Sequence, residues 1–215
     1  MRGHLGGCET VKVYLSHSLQ EANLGVGGYG TEMDRMREVA IVARDRLRLA
    51  GVETRLPVRA WCAYDANALL WTVVNDSNTW GSDLHICLHS NAGPKGADGT
   101  MVMHYPGSAR GKKIATLIYN KVAPISPGSD IGIVTSPVFY ETSHARAPVA
   151  YCELMFHTDY AEARHLLAHK RLYGEAVADA ILDYFGNKLP APKPVVTKTR
   201  RHKIRRLLKK LRRFF

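Results

Sequence analysis

The sequence predicts an α/β fold: a mixed, mostly parallel twisted sheet covered by helices on both faces, with a C-terminal amphipathic basic helix appended. Three observations predict it. Short apolar runs rich in β-branched residues alternate with stretches of three- and four-residue apolar periodicity as far as about residue 185. Of the 215 residues, 46% are apolar and 23% charged, the balance of an ordinary globular domain with a sizeable core. No stretch approaches the roughly 18 uncharged apolar residues that a membrane span needs.

The elements follow in order. Val11–His17 (VKVYLSH) reads as a buried strand, and a Gly-rich loop, Gly25 to Gly30, comes after it. Glu32–Ala50 reads as a helix, because Met33, Met36, Val39 or Ala40, Ala43, Leu47 and Ala50 share one face, and Gly51 is placed to stop it. Val52–Pro57 is the next strand and Asp65–Asn78 the next helix, through Leu69, Leu70, Val73 and Val74. Asp83–His89 and Thr100–Tyr105 are strands. Ser108–Val122 is a helix with Ile114, Leu117 and Ile118 on one face. Ile131–Thr135 and Val149–Phe156 are strands, and two helices, Tyr160–His169 and Leu172–Phe185, complete the body. There is no internal repeat.

Charge divides the chain. Residues 1–187 carry 18 Lys/Arg against 19 Asp/Glu, a net of −1, whereas residues 188–215 carry 12 Lys/Arg and no acid. The overall +11 therefore belongs to an attachment and not to the domain. Three domains are expected: a body, 1–187; a stiff linker with three prolines, 188–198; and a cationic tail, 199–215. The N-terminus has one early Arg but no long apolar run and no small-residue cleavage site, so no secretory signal is expected. Cys8, Cys62, Cys87 and Cys152 include no CxxC pair. The last two lie in apolar strands and read as buried free thiols, and a zinc–thiolate site is not expected from their spacing.

Ten histidines invite a search for metal ligands. His17 ends the first strand, Glu32 opens the first long helix, and His89 ends DLHICLH before Ser90-Asn91-Ala92-Gly93. Strand ends in α/β sheets are where ligands gather. Cys152-Glu153-Leu154-Met155-Phe156 puts a carboxylate inside an apolar strand, which is costly without a partner. Two His and one carboxylate would leave a position open on a catalytic zinc. His85 shares a strand face with His89, but four residues of strand span about 13 Å, so both cannot bind one ion. His104, His144 and His157 are candidates for lining the site. HExxH, GxSxG and P-loop motifs are absent.

The order His17, Glu32, His89 within CLHSNAG, then Glu153 within an E-L-x-F strand resembles the zinc-dependent N-acetylmuramoyl-L-alanine amidases of the amidase-3 type, from about residue 11 to 186. Ser16 and Ser18 flank His17 where the family often has glycine, and Met155-Phe156-His157-Thr158-Asp159 replaces its usual G-F-x-S/T-N. The resemblance implies one zinc per chain on His17, Glu32 and His89, with Glu153 as the catalytic carboxylate. It implies cleavage of the amide between N-acetylmuramic acid and L-alanine in peptidoglycan. Asn91 and His157 are the candidate substrate contacts. Glu153 would take a proton from the attacking water and return it to the departing L-alanine nitrogen.

The tail places Ile204, Leu207, Leu208, Leu211, Phe214 and Phe215 on one helical face. Arg200, Arg201, Lys203, Arg205, Arg206, Lys209, Lys210, Arg212 and Arg213 supply the cationic one. This is the pattern of an interfacial helix for an anionic envelope, whether membrane, lipopolysaccharide or teichoic acid. Nucleic acid is disfavoured for want of stacking aromatics. The expected protein is a phage endolysin, made in the cytoplasm of an infected host and acting on the wall after release, with a bacterial autolysin or sporulation amidase as the other origin. The alternatives are a zinc peptidase or deacetylase acting on another wall bond, and a non-catalytic α/β scaffold carrying a membrane- or nucleic-acid-binding tail.

Overall fold

The structure, a computed structural model, describes residues 10–58 and 66–186, the side chains of residues 66–68 excepted. The expected tail helix lies outside the described residues. Eight strands and five helices follow one another: β1 (Lys12–His17), β2 (Leu24–Gly25), β3 (Gly30–Thr31), α1 (Glu32–Leu49), β4 (Glu53–Arg55), α2 (Ala66–Trp80), β5 (Leu84–Asn91), β6 (Met101–His104), α3 (Ala109–Val122), β7 (Gly132–Thr135), α4 (Tyr140–His144), β8 (Val149–Phe156) and α5 (Tyr160–Phe185).

Six strands form one sheet in the order β4-β1-β5-β8-β6-β7, and β2 and β3 form a separate small hairpin. All neighbours in the sheet run parallel except β6 and β8. The sheet is thus mixed and mostly parallel, as the alternation of strands and helices predicts. Parallel strands need crossovers, and these place helices over the sheet. One face, through Val13, Leu15, Leu84, Ile86, Leu88, Ala150, Cys152 and Leu154, packs on α1, α3 and α5 and forms the main core. The other carries a smaller cluster of Cys87, Met103, Val149 and Tyr151 against Phe139 and Ala145, beside α4. Among the described residues no helix is long and apolar enough to cross a membrane.

Helix α1 begins at Thr31, whose hydroxyl accepts from the Asp34 amide at 3.1 Å. It buries Met33, Met36, Val39, Ala40, Ala43 and Leu47, the periodic stripe of the sequence. Gly174 lets α5 approach it closely: a Cβ there would lie 2.6 Å from Val42 Cβ and 2.8 Å from the Val39 carbonyl oxygen. The two expected closing helices are both present within α5 and meet at a kink at His169, whose φ of −125° and ψ of 24° are non-helical. Two short elements escape periodicity because neither completes enough turns to repeat: α4, and a 3-10 turn at Ala123–Ile125 that has Pro124 near its start.

Candidate active site

Strands β1, β5 and β8 are parallel neighbours, so their carboxyl ends share one edge of the sheet, where α/β folds collect their ligands. Register puts the candidate residues on adjacent rungs there. His17 pairs with Leu88, and His89 pairs with Glu153. A bulge between His89 and Asn91 then shifts the β5–β8 pairing at the mouth of the site. Glu32 arrives from the first turn of α1, anchored by Asn23, whose carbonyl accepts from the Glu32 amide at 2.9 Å.

Glu32 and His89 meet directly. Glu32 Oε1 lies 2.9 Å from His89 Nδ1 and accepts from the Ser90 amide at 3.1 Å, while Oε2 accepts from Asn23 Nδ2 at 2.7 Å. Burial pushes the Glu32 carboxyl up, but the bond and charge of His89 outweigh it and hold it below the usual carboxylate range. Burial likewise pulls His89 down, and Glu32 more than compensates, leaving it above an ordinary imidazole. The His89 ring stacks on Tyr151, centroids 4.5 Å apart.

His17 and Glu153 each keep a buried polar atom without a protein partner: His17 Nε2 and Glu153 Oε2. His17 Nδ1 lies 2.8 Å from the Ser18 carbonyl oxygen, so Nδ1 carries the hydrogen and Nε2 the free lone pair. Burial drives its pKa down to about 4, so the ring is neutral and ready to ligate near pH 7. Burial also pushes Glu153 up to about 7, with Glu32 adding to the rise and His89 opposing it. That value suits a group that must both take and give a proton.

A cavity of about 240 Å³ opens here. His17, His89, Ser16, Ser18 and Glu141 give it polar walls, and Leu19, Leu69, Leu70 and Val73 give it apolar ones. A larger hollow of about 570 Å³ lies at the opposite, amino-terminal edge, lined by Lys12, Glu53 and Asp83, and among the described residues no imidazole lines it. His17 and His89 line the smaller one.

Of the remaining histidines, His157 is 3% exposed and braces the site from behind. Its Nδ1 sits 3.0 Å from Ser90 Oγ and 2.9 Å from the Ser90 carbonyl oxygen, its ring stacks on Tyr29, and Tyr29 Oη is 2.8 Å from the same Ser90 hydroxyl. Ser90 thereby ties Tyr29 and His157 to the strand end that presents His89. Asn91 is half-buried, with Oδ1 accepting from the Ala92 amide at 2.9 Å. His104 bonds the Tyr105 carbonyl, and His144 stacks on Tyr140 within α4.

Two further groups carry no spacing or motif that marks them in advance. Glu162, in the first turn of α5, is buried and accepts from the amides of Phe156 at 2.7 Å and Gly99 at 3.1 Å, fixing the end of β8. Glu141 of α4 accepts from Ser16 Oγ and lies 3.1 Å from His85 Nε2. Among the described residues, His85, Cys87 and Glu141 are the group of three whose potential ligand atoms all lie within 4.8 Å of one another. His17 stands further off the Glu32–His89 pair. The H-x-C-x-H alternation of β5 is the one sequence signal that bears on this group, since it puts three donors on one face of a strand.

The profile of the N-acetylmuramoyl-L-alanine amidase family, amidase-3 type, matches residues 13–183. The chain belongs to that family. Solved structures agree on the fold. The N-acetylmuramoyl-L-alanine amidase AmiC2 of Nostoc punctiforme superposes with a TM-score of 0.70 at 18% identity, over 81% of this chain and 97% of that one. The catalytic domain of the CD27L endolysin targeting Clostridia difficile does so with 0.69 at 19% identity, over 80% and 97%. The CwlD amidase from Clostridioides difficile, in complex with the GerS lipoprotein, reaches 0.73 at 12% identity, over 83% and 100%. No curated protein sequence matches the chain. Membership makes the protein a hydrolase of the cell-wall amidase class with peptidoglycan as its substrate.

Proposed function

We propose that this amidase cleaves the bond between N-acetylmuramic acid and L-alanine with a single catalytic zinc held by His17, Glu32 and His89, and with Glu153 as its acid–base group. One observation carries the reading. At the carboxyl edge of the sheet, His17 Nε2 and Glu153 Oε2 are buried and unpartnered, and Glu153 shares a rung with His89, which meets Glu32. Two imidazoles and one carboxylate are a fitting donor set for a catalytic zinc. His17 is neutral with a buried, unpartnered nitrogen, and the Glu32–His89 contact is one whose proton a cation can replace. Zinc supplies Lewis acidity there, polarising the amide carbonyl and acidifying water.

The chain's own groups do the rest. Glu153, ionised as its pKa near 7 is passed, takes a proton from the attacking water. It then returns that proton to the L-alanine nitrogen as the carbon–nitrogen bond breaks, because an amine leaves only when protonated. Burial keeps bulk water from competing for the proton. Ser90 holds Glu32 through its amide and is itself held by Tyr29 and His157, so His157 acts through Ser90. Asn91, half-buried at the bulge, would contact substrate, a reading supported by its partial exposure there.

The cationic segment 199–215 would deliver the enzyme to an anionic envelope, and we assign the protein to the lytic enzymes of phage. That assignment is supported by the ten Lys/Arg within residues 198–215 and by the fold shared with an endolysin catalytic domain. The test is product release from purified peptidoglycan, with and without chelator, by the full chain and by a chain ending at Asn187. New L-alanine amines from both, abolished by chelator, support the reading. A different new terminus would move the enzyme to another wall bond, and no release by the zinc-loaded protein would refute the substrate.

A further inference from the structure

The groups left unused by the mechanism converge at one place, beside the cavity that His17, His89 and Glu141 line. His85 and Cys87 project from the same face of β5 as His89, and Glu141 reaches them from α4 across 54 residues of chain. All three are buried: 0%, 0% and 2% exposed. His85 Nε2 stands 3.1 Å from Glu141 Oε1, a separation that two donors on one ion can adopt. The second ring nitrogen, Nδ1, is 2.8 Å from Ser77 Oγ on α2, the outer hydrogen bond that fixes the orientation of a ligating imidazole. The His85 ring also stacks on Tyr14, nearly parallel at 8°, which limits its freedom to turn.

Ser77, His85 and Glu141 line up as a serine–histidine–carboxylate chain, but this is no nucleophile. Ser77 is 0% exposed and its hydroxyl is shared with Ser82 at 2.7 Å, so no substrate reaches it. What the arrangement does offer is one thiol, one imidazole and one carboxylate around a common point. Glu141 and Ser16 also line the cavity above, which gives an ion a way in.

We propose that His85, Cys87 and Glu141 form a second metal site, selective for a borderline divalent transition ion of the zinc class and distinct from the catalytic site. A thiolate with a single carboxylate is a poor cradle for magnesium or calcium, which want several oxygens. As the ion enters, the thiol proton of Cys87 and the proton bridging His85 and Glu141 leave to solvent. The ion then ties β5 to α4, and through the Ser16–Glu141 hydrogen bond to the residue preceding His17. The site stands independently of the catalytic assignment, because it shares no ligand with it.

Cobalt substitution tests it, since a thiolate ligand adds a near-ultraviolet charge-transfer band that two histidines and a carboxylate cannot produce. The full chain with Cys8→Ser and Cys62→Ser is stripped and titrated with Co2+. Two equivalents and a thiolate band are expected. Cys87→Ser should lose the band and one equivalent, Cys152→Ser neither, and His89→Ala one equivalent but not the band. Should Cys87→Ser not fold, Glu141→Gln, which still accepts from Ser16, should weaken loading of the band-forming site at least about tenfold. One equivalent without a band overturns the proposal and leaves the catalytic reading intact. A band with activity and stoichiometry untouched by His89→Ala sustains this site and overturns the catalytic one.

Discussion

Replacing Glu153 by Gln separates its chemistry from its cost to the fold. As the proton carrier it should be worth about 10²- to 10⁴-fold in turnover, the usual contribution of a positioned acid–base group. Zinc content should not change, because Glu153 is outside the proposed ligand set. The stability effect follows from burial. The folded pKa of about 7 lies above the ordinary 4.5, so ionisation opposes folding. The penalty is absent below about pH 4.5, grows as the pH rises, and is complete above about 7, where it reaches about 3 kcal/mol at about 1.4 kcal/mol per tenfold. Glutamine has no such titration, and its own buried amide costs the same at every pH. The difference between wild type and Glu153→Gln across pH 5 to 9 therefore isolates the ionisation. Urea unfolding of the chelated protein measures it, with no bound cation to offset the carboxylate charge. In the zinc-loaded enzyme the cation draws the acid limb of the pH–rate profile to about 7 or below. A Glu153→Gln enzyme that still releases L-alanine amines, or stability curves that run parallel from pH 5 to 9, would refute the assignment.

Three other outcomes are expected. His89→Ala removes a proposed ligand and the hydrogen-bond partner of Glu32, so both catalytic zinc and activity should be lost, as metal analysis and peptidoglycan digestion will show. Gly174→Ala drives a Cβ to 2.6 Å from Val42 and 2.8 Å from a backbone oxygen at the α1–α5 contact. It should cost about 1–3 kcal/mol in denaturant unfolding with the catalytic rate at low temperature unchanged. Ending the chain at Asn187 should preserve hydrolysis of purified peptidoglycan while reducing lysis of whole cells, and the reduction should shrink as salt rises and screens the tail of the full chain.

The sequence by itself determined the layers. Near-continuous apolar strands and one-sided helices have few ways to bury their surfaces, and His17, Glu32, His89 and Glu153 stand at element ends or inside strands that alternation makes visible. The break between the last two helices at His169 was legible, whereas the short α4 and the 3-10 turn were not, since each depends on packing in place of a repeat. Only the tertiary structure decided which polar groups became partners. Parallel register brought His89 level with Glu153, and the capped start of α1 swung Glu32 onto His89. Glu141, with no spacing to announce it, was carried onto His85 and Cys87 by the crossover that returns the chain to β8 in the middle of the sheet. Local pattern fixes which face of an element is buried, whereas contacts between distant elements depend on strand order, and strand order is a property of the whole chain.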